Sequence, residues 1–78
     1  MAIERSELDR LQQLYKEAVE QWVLAIREEE ALATPDHSIA AWEKWEQAGF
    51  KAQDAGERAT EAKEGYKAGL RLLDYDIS

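Results

Sequence analysis

The chain has 78 residues, 17 of them acidic and 10 basic, with a formal net charge of −7 and no cysteine. This length supports one small domain, and the lack of cysteine excludes a disulfide scaffold, a cysteine-ligated zinc site and a thiol nucleophile. No apolar run approaches the roughly 20 residues of a membrane-spanning helix and no signal-peptide pattern is present, so we expect a cytoplasmic protein.

The first thirty residues carry the pattern of an amphipathic helix. Thirteen alanines against two valines and one proline favour helix over sheet. Apolar residues recur at alternating spacings of three and four from Leu8 to Leu32, with Glu29 at one of these positions, as in a coiled-coil seam. Ser6 is followed three residues later by Asp9, an arrangement that resembles a capping box and favours a helix start near Ser6. The pattern predicts a helix over about residues 4–33.

The only proline marks a turn. Pro35 disfavours helical geometry at Thr34 and suits the first position of a new helix, for which Thr34 is the predicted N-cap. We therefore predict a turn over about residues 33–36, followed by a second helix over about 35–73 and a short tail over 74–78.

Short connections join antiparallel neighbours, so the predicted fold is an all-α, coiled-coil-like two-helix hairpin. Because both helices rise equally per residue, residues that face each other across the hairpin should have numbers that sum to about 69. This places Trp22 opposite Ala48 and Gly49. Large side chains of the first helix then meet small residues of the second, which favours dense packing. Two alternatives stay open, namely one long kinked helix and a second helix that breaks near Gly65.

The predicted hairpin leaves apolar residues without a partner in the same chain. Val23 and Leu24 point away from the first seam, and the second helix is expected to outrun the first beyond Gly69. A chain this short, without disulfide or metal, seldom buries enough apolar surface alone. We expect a homodimer that forms a four-helix bundle, with tetramers or larger rings as alternatives. The predicted interface residues are Val23, Leu24, Trp42, Leu70, Leu72, Leu73, Tyr75 and Ile77.

No residue pattern predicts a catalytic residue, a cofactor or a metal ligand set. His37 is the only histidine and has no glutamate three residues before it, so the Glu-x-x-His pair of di-iron bundles is missing. Glutamates spaced three apart are interpreted as solvated surface, and they leave a Mg²⁺-dependent phosphohydrolase as an alternative function. These glutamate pairs are Glu17 with Glu20, Glu43 with Glu46, and Glu61 with Glu64.

Negative charge is spread along the whole chain. The net charge is negative before the turn, after it and in the tail, so we expect neither nucleic-acid nor membrane binding. A basic protein partner, blocked by an acidic mimic, is a further alternative. The predicted function is that of a small acidic, non-enzymatic protein whose activity is self-association and protein–protein interaction, with no biological role indicated.

Overall fold

Two long antiparallel α-helices form a hairpin in the computed structural model, which describes the backbone of residues 3–77 and the side chains of residues 3–73. Helix α1 spans Arg5–Leu32 and helix α2 spans Ile39–Ile77, and the two pack against each other along their length. The hairpin is 59 Å long and 13 Å across. The prediction of an all-α hairpin is confirmed. Gly65 lies within an unbroken α2, and a non-helical connection separates the helices, so neither open alternative holds.

The N-cap of helix α1 lies two residues earlier than expected. Glu4, not Ser6, is the N-cap, with an extended backbone and no hydrogen bond from its side chain to the first turn. Its carbonyl oxygen accepts the first helical hydrogen bond from the Leu8 amide, at 3.0 Å. The Ser6 hydroxyl lies 3.5 Å from the Glu4 carboxylate and caps nothing. The helix then ends at Leu32, close to the predicted boundary.

Helix α2 begins four residues later than predicted because Ser38, not Thr34, is its N-cap. The Ser38 hydroxyl accepts a hydrogen bond from the Ala41 amide at 3.2 Å, which is the usual geometry of a serine cap. The Asp36 carboxylate in turn accepts a hydrogen bond from the Ser38 amide at 3.0 Å, which holds the connection in an Asx turn. The connection therefore covers residues 33–38 rather than 33–36.

The C-terminal tail that we predicted over 74–78 is helical through Ile77. No glycine or proline follows Gly69, so no residue stops the helix after position 73. Ser78 lies outside the described residues.

The register between the helices differs from the predicted one. Trp22 packs against Gly56, and the Lys51 ammonium lies 3.7 Å from the Glu28 carboxylate, so facing residue numbers sum to about 78 rather than 69. The longer connection causes this shift. After α1 ends at Leu32, the connection runs alongside the first turns of α2 before the chain reverses at Ile39. Most of the excess length of α2 therefore lies at the connection end. At the other end Gly69 is covered by Leu8, so α2 outruns α1 only beyond about position 73 and not from Gly69 as predicted.

The contact line of α2 follows its small residues. The buried residues are Ala48, Ala52 and Ala59, which are 3–6% exposed, together with Gly69. Among the larger residues of α2, Tyr66 and Leu73 are half-buried on this line, whereas Trp42, Lys63 and Leu70 lie to one side of it and are exposed. Small side chains bring the backbones close together, but they bury little apolar area. The hairpin thus has a thin core.

Tyrosine packing secures the half of the hairpin that is remote from the connection. The rings of Tyr15 and Tyr66 are stacked, with centroids 6.3 Å apart and planes inclined by 27°. Both rings are partly buried, and offset stacks of this kind add to the energy of area burial.

Candidate functional site

The line of contact between the helices separates two broad faces of the hairpin. A cleft on one face is lined by Trp22, Ala52, Gln53, Gly56, Glu57, Thr60 and Glu61. A cleft on the other face is lined by Gln21, Leu24, Ala25, Glu28, Lys51, Asp54, Ala55 and Arg58. We call the first the tryptophan face and the second the charged face.

The tryptophan face carries an apolar stripe on each helix. On α1, Val19, Val23 and Ile26 follow at spacings of four and three and flank Trp22. On α2, Trp42 and Leu70 each lie fourteen residues, or two heptads, from Gly56 and therefore share its side of the helix. The apolar members of the face are Val19, Trp22, Val23, Ile26, Ile39, Trp42, Trp45 and Leu70. All except the half-buried Val19 are among the exposed large hydrophobic residues of the structure.

The charged face is held by ion pairs across and along the helices. Glu28 pairs with Lys51 across the hairpin, and Glu7 accepts two hydrogen bonds from the Arg10 guanidinium one turn away. These hydrogen bonds, with the guanidinium charge, lower the pKa of the Glu7 carboxyl and raise the pKa of Arg10. Glu28, Lys51, Glu7 and Arg10 thus have charged partners within the chain.

The structure divides the predicted interface residues between the two faces. Val23, Trp42 and Leu70 lie on the tryptophan face. Leu24 lies on the charged face, and so does Leu72, which lines a cleft there with Ile3, Glu7 and Gly65. Leu73 is half-buried and continues the contact line of α2. The side chains of Tyr75 and Ile77 lie outside the described residues.

The spacing of apolar residues places two members of the tryptophan face, Trp22 and Trp45, at core positions. In the structure the two indoles are 38% and 42% exposed. The helices are so close that an indole cannot fit between them and projects to the side. The spacing of Val19, Val23 and Ile26 was the available signal, because it marks a second apolar stripe beside the seam.

An open cleft of about 360 Å³ lies at the connection end, beside Trp42 and Trp45. Leu32 and the connection residues Asp36 and His37 complete its wall. The cleft extends the tryptophan face toward the end of the molecule and offers mostly apolar surface.

The predicted glutamate pairs are not brought together. Glu17, Glu20, Glu43, Glu61 and Glu64 are exposed, and only Glu46 is half-buried. Within residues 3–73, no group of three or more carboxylate or histidine side chains is placed to hold a metal ion. One carboxylate oxygen of Glu46 is buried and has no hydrogen-bond partner among the described atoms.

Comparison with other proteins gives no relative from which a function could be transferred. The chain matches no protein-family model, no curated protein and no solved structure. In the part of the chain that the structure describes, neither helix is apolar enough over a sufficient length to cross a membrane.

Proposed function

We propose that this protein is a non-enzymatic self-association module, in which two hairpins dimerise through their tryptophan faces into a four-helix bundle. The observation that carries the proposal is the contrast between core and surface. Inside the hairpin the buried side chains are alanines, whereas three tryptophans and several large aliphatic residues lie on one outer face. The apolar surface able to form a substantial core is thus on the outside of a single hairpin.

The exposed area supports a partner of substantial size. The chain exposes 6292 Å². A compact folded monomer of 8.9 kDa exposes only about 4,800 Å² by the usual scaling of surface with mass. The excess of roughly 1,500 Å² exceeds the roughly 800 Å² that each partner buries in a standard protein interface. A second copy that buried about 800 Å² of the tryptophan face would remove about half of this excess.

The two faces differ in their suitability as an interface. The cores of protein interfaces are enriched in aromatic residues and depleted of charged ones. Near the middle of the hairpin, the cleft of the tryptophan face has Trp22 with neutral Gln53 and Thr60 and two charged side chains, Glu57 and Glu61. The cleft of the charged face has four charged side chains, which are Glu28, Lys51, Asp54 and Arg58. The tryptophan face is therefore the side that self-association would cover.

Two neighbouring residues give a matched test of this proposal. Val23 and Leu24 are adjacent, both exposed, at 40% and 59%, and they lie on opposite faces. We expect Val23→Glu to convert the dimer to a monomer, because it would place two carboxylates inside the new core. Leu24→Glu should leave the dimer intact. Sedimentation equilibrium at micromolar concentrations measures both masses. Dissociation by Leu24→Glu alone, or by neither variant, would contradict the proposed interface.

A further inference from the structure

We infer that the two hairpins pack with inverted orientation, with their connections at opposite ends, about a two-fold axis that passes close to Val23 and Gly56. This inference rests on the proposed self-association and adds its geometry. In this arrangement α1 packs on α1 of the second copy, and α2 on α2. The inference is carried by the order of charges on the tryptophan face, which makes that face complementary to its own inverted copy.

On the α2 side of the tryptophan face, residues that lie equally far before and after position 56 are complementary to each other. Its outward stripe carries an acid, two neutral polar residues and a base in the order Glu46, Gln53, Thr60 and Lys67, seven residues apart. Inversion about residues 56 and 57 sets Glu46 of each copy opposite Lys67 of the other, and Trp42 opposite Leu70, while Glu57 of each copy lies near the axis. The resulting contacts along α2 are Trp42 with Leu70, Glu46 with Lys67, Gly49 with Lys63, Gln53 with Thr60, and Gly56 with itself.

The α1 side is complementary about position 23, independently of α2. Its outward stripe has Lys16, Val23 and Glu30, again seven residues apart. Inversion sets Lys16 opposite Glu30 of the second copy, Val23 opposite itself, and Val19 opposite Ile26. The remaining charged residues of this side, Arg5 and Asp9, then lie opposite the beginning of α2 and the connection, where Asp9 approaches His37.

The centres of complementarity on the two helices coincide in space. Val23 and Gly56 have numbers that sum to 79, as do Glu28 and Lys51, whose side chains touch across the hairpin. The two centres therefore lie at the same position along the length of the hairpin, so a single two-fold axis passes through both. If the charge order on one helix were accidental, its centre would have no reason to coincide with the centre on the other helix.

The alternative orientation, with both connections at the same end, brings like charges together. It packs α1 on α2 of the second copy at the same position along the hairpin. Glu30 then faces Glu46 and Lys16 faces Lys63, and one opposite-charge pair, Asp9 with Lys67, forms beside these two like-charge pairs. Like charges placed face to face disfavour association. Glu46 adds to the argument, because its carboxylate has a buried oxygen without a hydrogen-bond partner in the described part of the chain, and a nearby Lys67 would offset that charge.

Charge reversal tests the register directly. Glu46→Lys and Lys67→Glu should each raise the dissociation constant of the homodimer about tenfold, because each change makes two attractive pairs repulsive. An equimolar mixture of the two variants should form a heterodimer about as tight as the unmodified dimer, because every such pair again joins opposite charges. Failure of the mixture to associate better than either variant alone would overturn the inverted register.

Spin-label distances separate failure of this inference from failure of the proposed function. The chain has no cysteine, so single-cysteine variants at the exposed positions Ala40 and Glu57 accept labels selectively. Glu57 lies near the axis, and its two labels should be less than about 30 Å apart in either orientation. Ala40 lies 16 residues from the axis, so inversion predicts about 48 Å at 1.5 Å per residue.

Each outcome of the distance measurement has one meaning. A short distance at Glu57 with about 48 Å at Ala40 supports the inverted dimer. Short distances at both positions would show that the chain dimerises in the other orientation, which overturns this inference alone. No dipolar signal at either position would overturn the dimer and the inference together.

Discussion

Replacing Gly56 with alanine measures how tightly Trp22 packs against α2. Alanine is better than glycine inside a helix by about 1 kcal/mol, so a substitution that meets no neighbour should stabilise the hairpin by that amount. At Gly56 a new methyl carbon would lie 3.0 Å from Nε1 of Trp22 and 3.1 Å from Cε2. These atoms belong to a rigid ring, and overpacking of this kind costs about 1–3 kcal/mol. We expect Gly56→Ala to range from neutral to destabilising by about 2 kcal/mol.

Gly65 provides the matched control in the same helix. The nearest side-chain atom to a methyl carbon there is Cδ2 of Leu11, at 4.0 Å, which is ordinary contact. Gly65→Ala should therefore give the full gain of about 1 kcal/mol, or about 4–8 °C in Tm for a domain of this size. Thermal unfolding by circular dichroism, at one chain concentration for all variants, compares the two.

The double variant identifies the cause of the difference. Trp22→Phe makes room beside position 56, so Gly56→Ala should cost less in that background than in the unmodified chain. An equal rise in Tm for Gly56→Ala and Gly65→Ala would mean that Trp22 does not lie on Gly56. The observed register, and the inverted dimer built on it, would then be wrong.

Three further changes test the cap, the contact line and the ion pair. Ser38→Ala should destabilise the hairpin by about 1 kcal/mol, because the Ser38 hydroxyl would no longer accept a hydrogen bond from the Ala41 amide. Thr34→Ala should change Tm little. A larger loss for Thr34→Ala than for Ser38→Ala would mean that Thr34 is the N-cap of α2. Ala59→Leu should lower the free energy of unfolding, measured with urea, by about 1–3 kcal/mol, because Ala59 is only 3% exposed; an unchanged value would mean that the helices do not meet there. Arg10 lowers the pKa of Glu7 in the folded chain, so this pair stabilises the fold above the ordinary pKa of 4.5, and the contribution disappears as the pH falls through the lowered value. Thermal unfolding between pH 7 and about pH 3 should therefore show a steeper loss for the unmodified chain than for Glu7→Gln, and parallel curves would contradict the pairing.

Periodicity predicted the helices well because each has a long amphipathic repeat. The seam from Leu8 to Leu32 is the contact line of α1, and alanines at matching spacing form that of α2. The start of α2 was wrong because Thr34 and Ser38 are both good N-cap residues. The Asp36 hydrogen bond that favours Ser38 is a property of the folded turn.

The register error followed from the turn. Moving the start of α2 from Pro35 to Ile39, and folding the connection back beside it, shifts facing residue numbers from a sum of 69 to about 78. Spacing along each helix is unaffected by such a shift, so the pattern of apolar residues could not reveal it. Large residues still meet small ones after the shift, as Trp22 does at Gly56.

The predicted interface residues lie on both faces of the hairpin, and their role in self-association stays a prediction. Val23 and Trp42 lie on the tryptophan face, but Leu24 lies behind it on the charged face. A linear sequence shows that Val23 and Leu24 both point away from the seam. Which of them faces a second copy depends on the side of the hairpin to which each belongs, and that requires the orientation of both helices.

Small-angle X-ray scattering of the unmodified chain at micromolar concentrations tests self-association most directly, because it reports mass and length together. Two hairpins packed face to face in inverted register should have twice the chain mass of 8.9 kDa. Because the two-fold axis passes near the middle of the 59 Å hairpin, the dimer should be longer than one hairpin by no more than about 10 Å. A particle with the mass of one chain, or a two-chain particle nearly twice as long, would contradict the account.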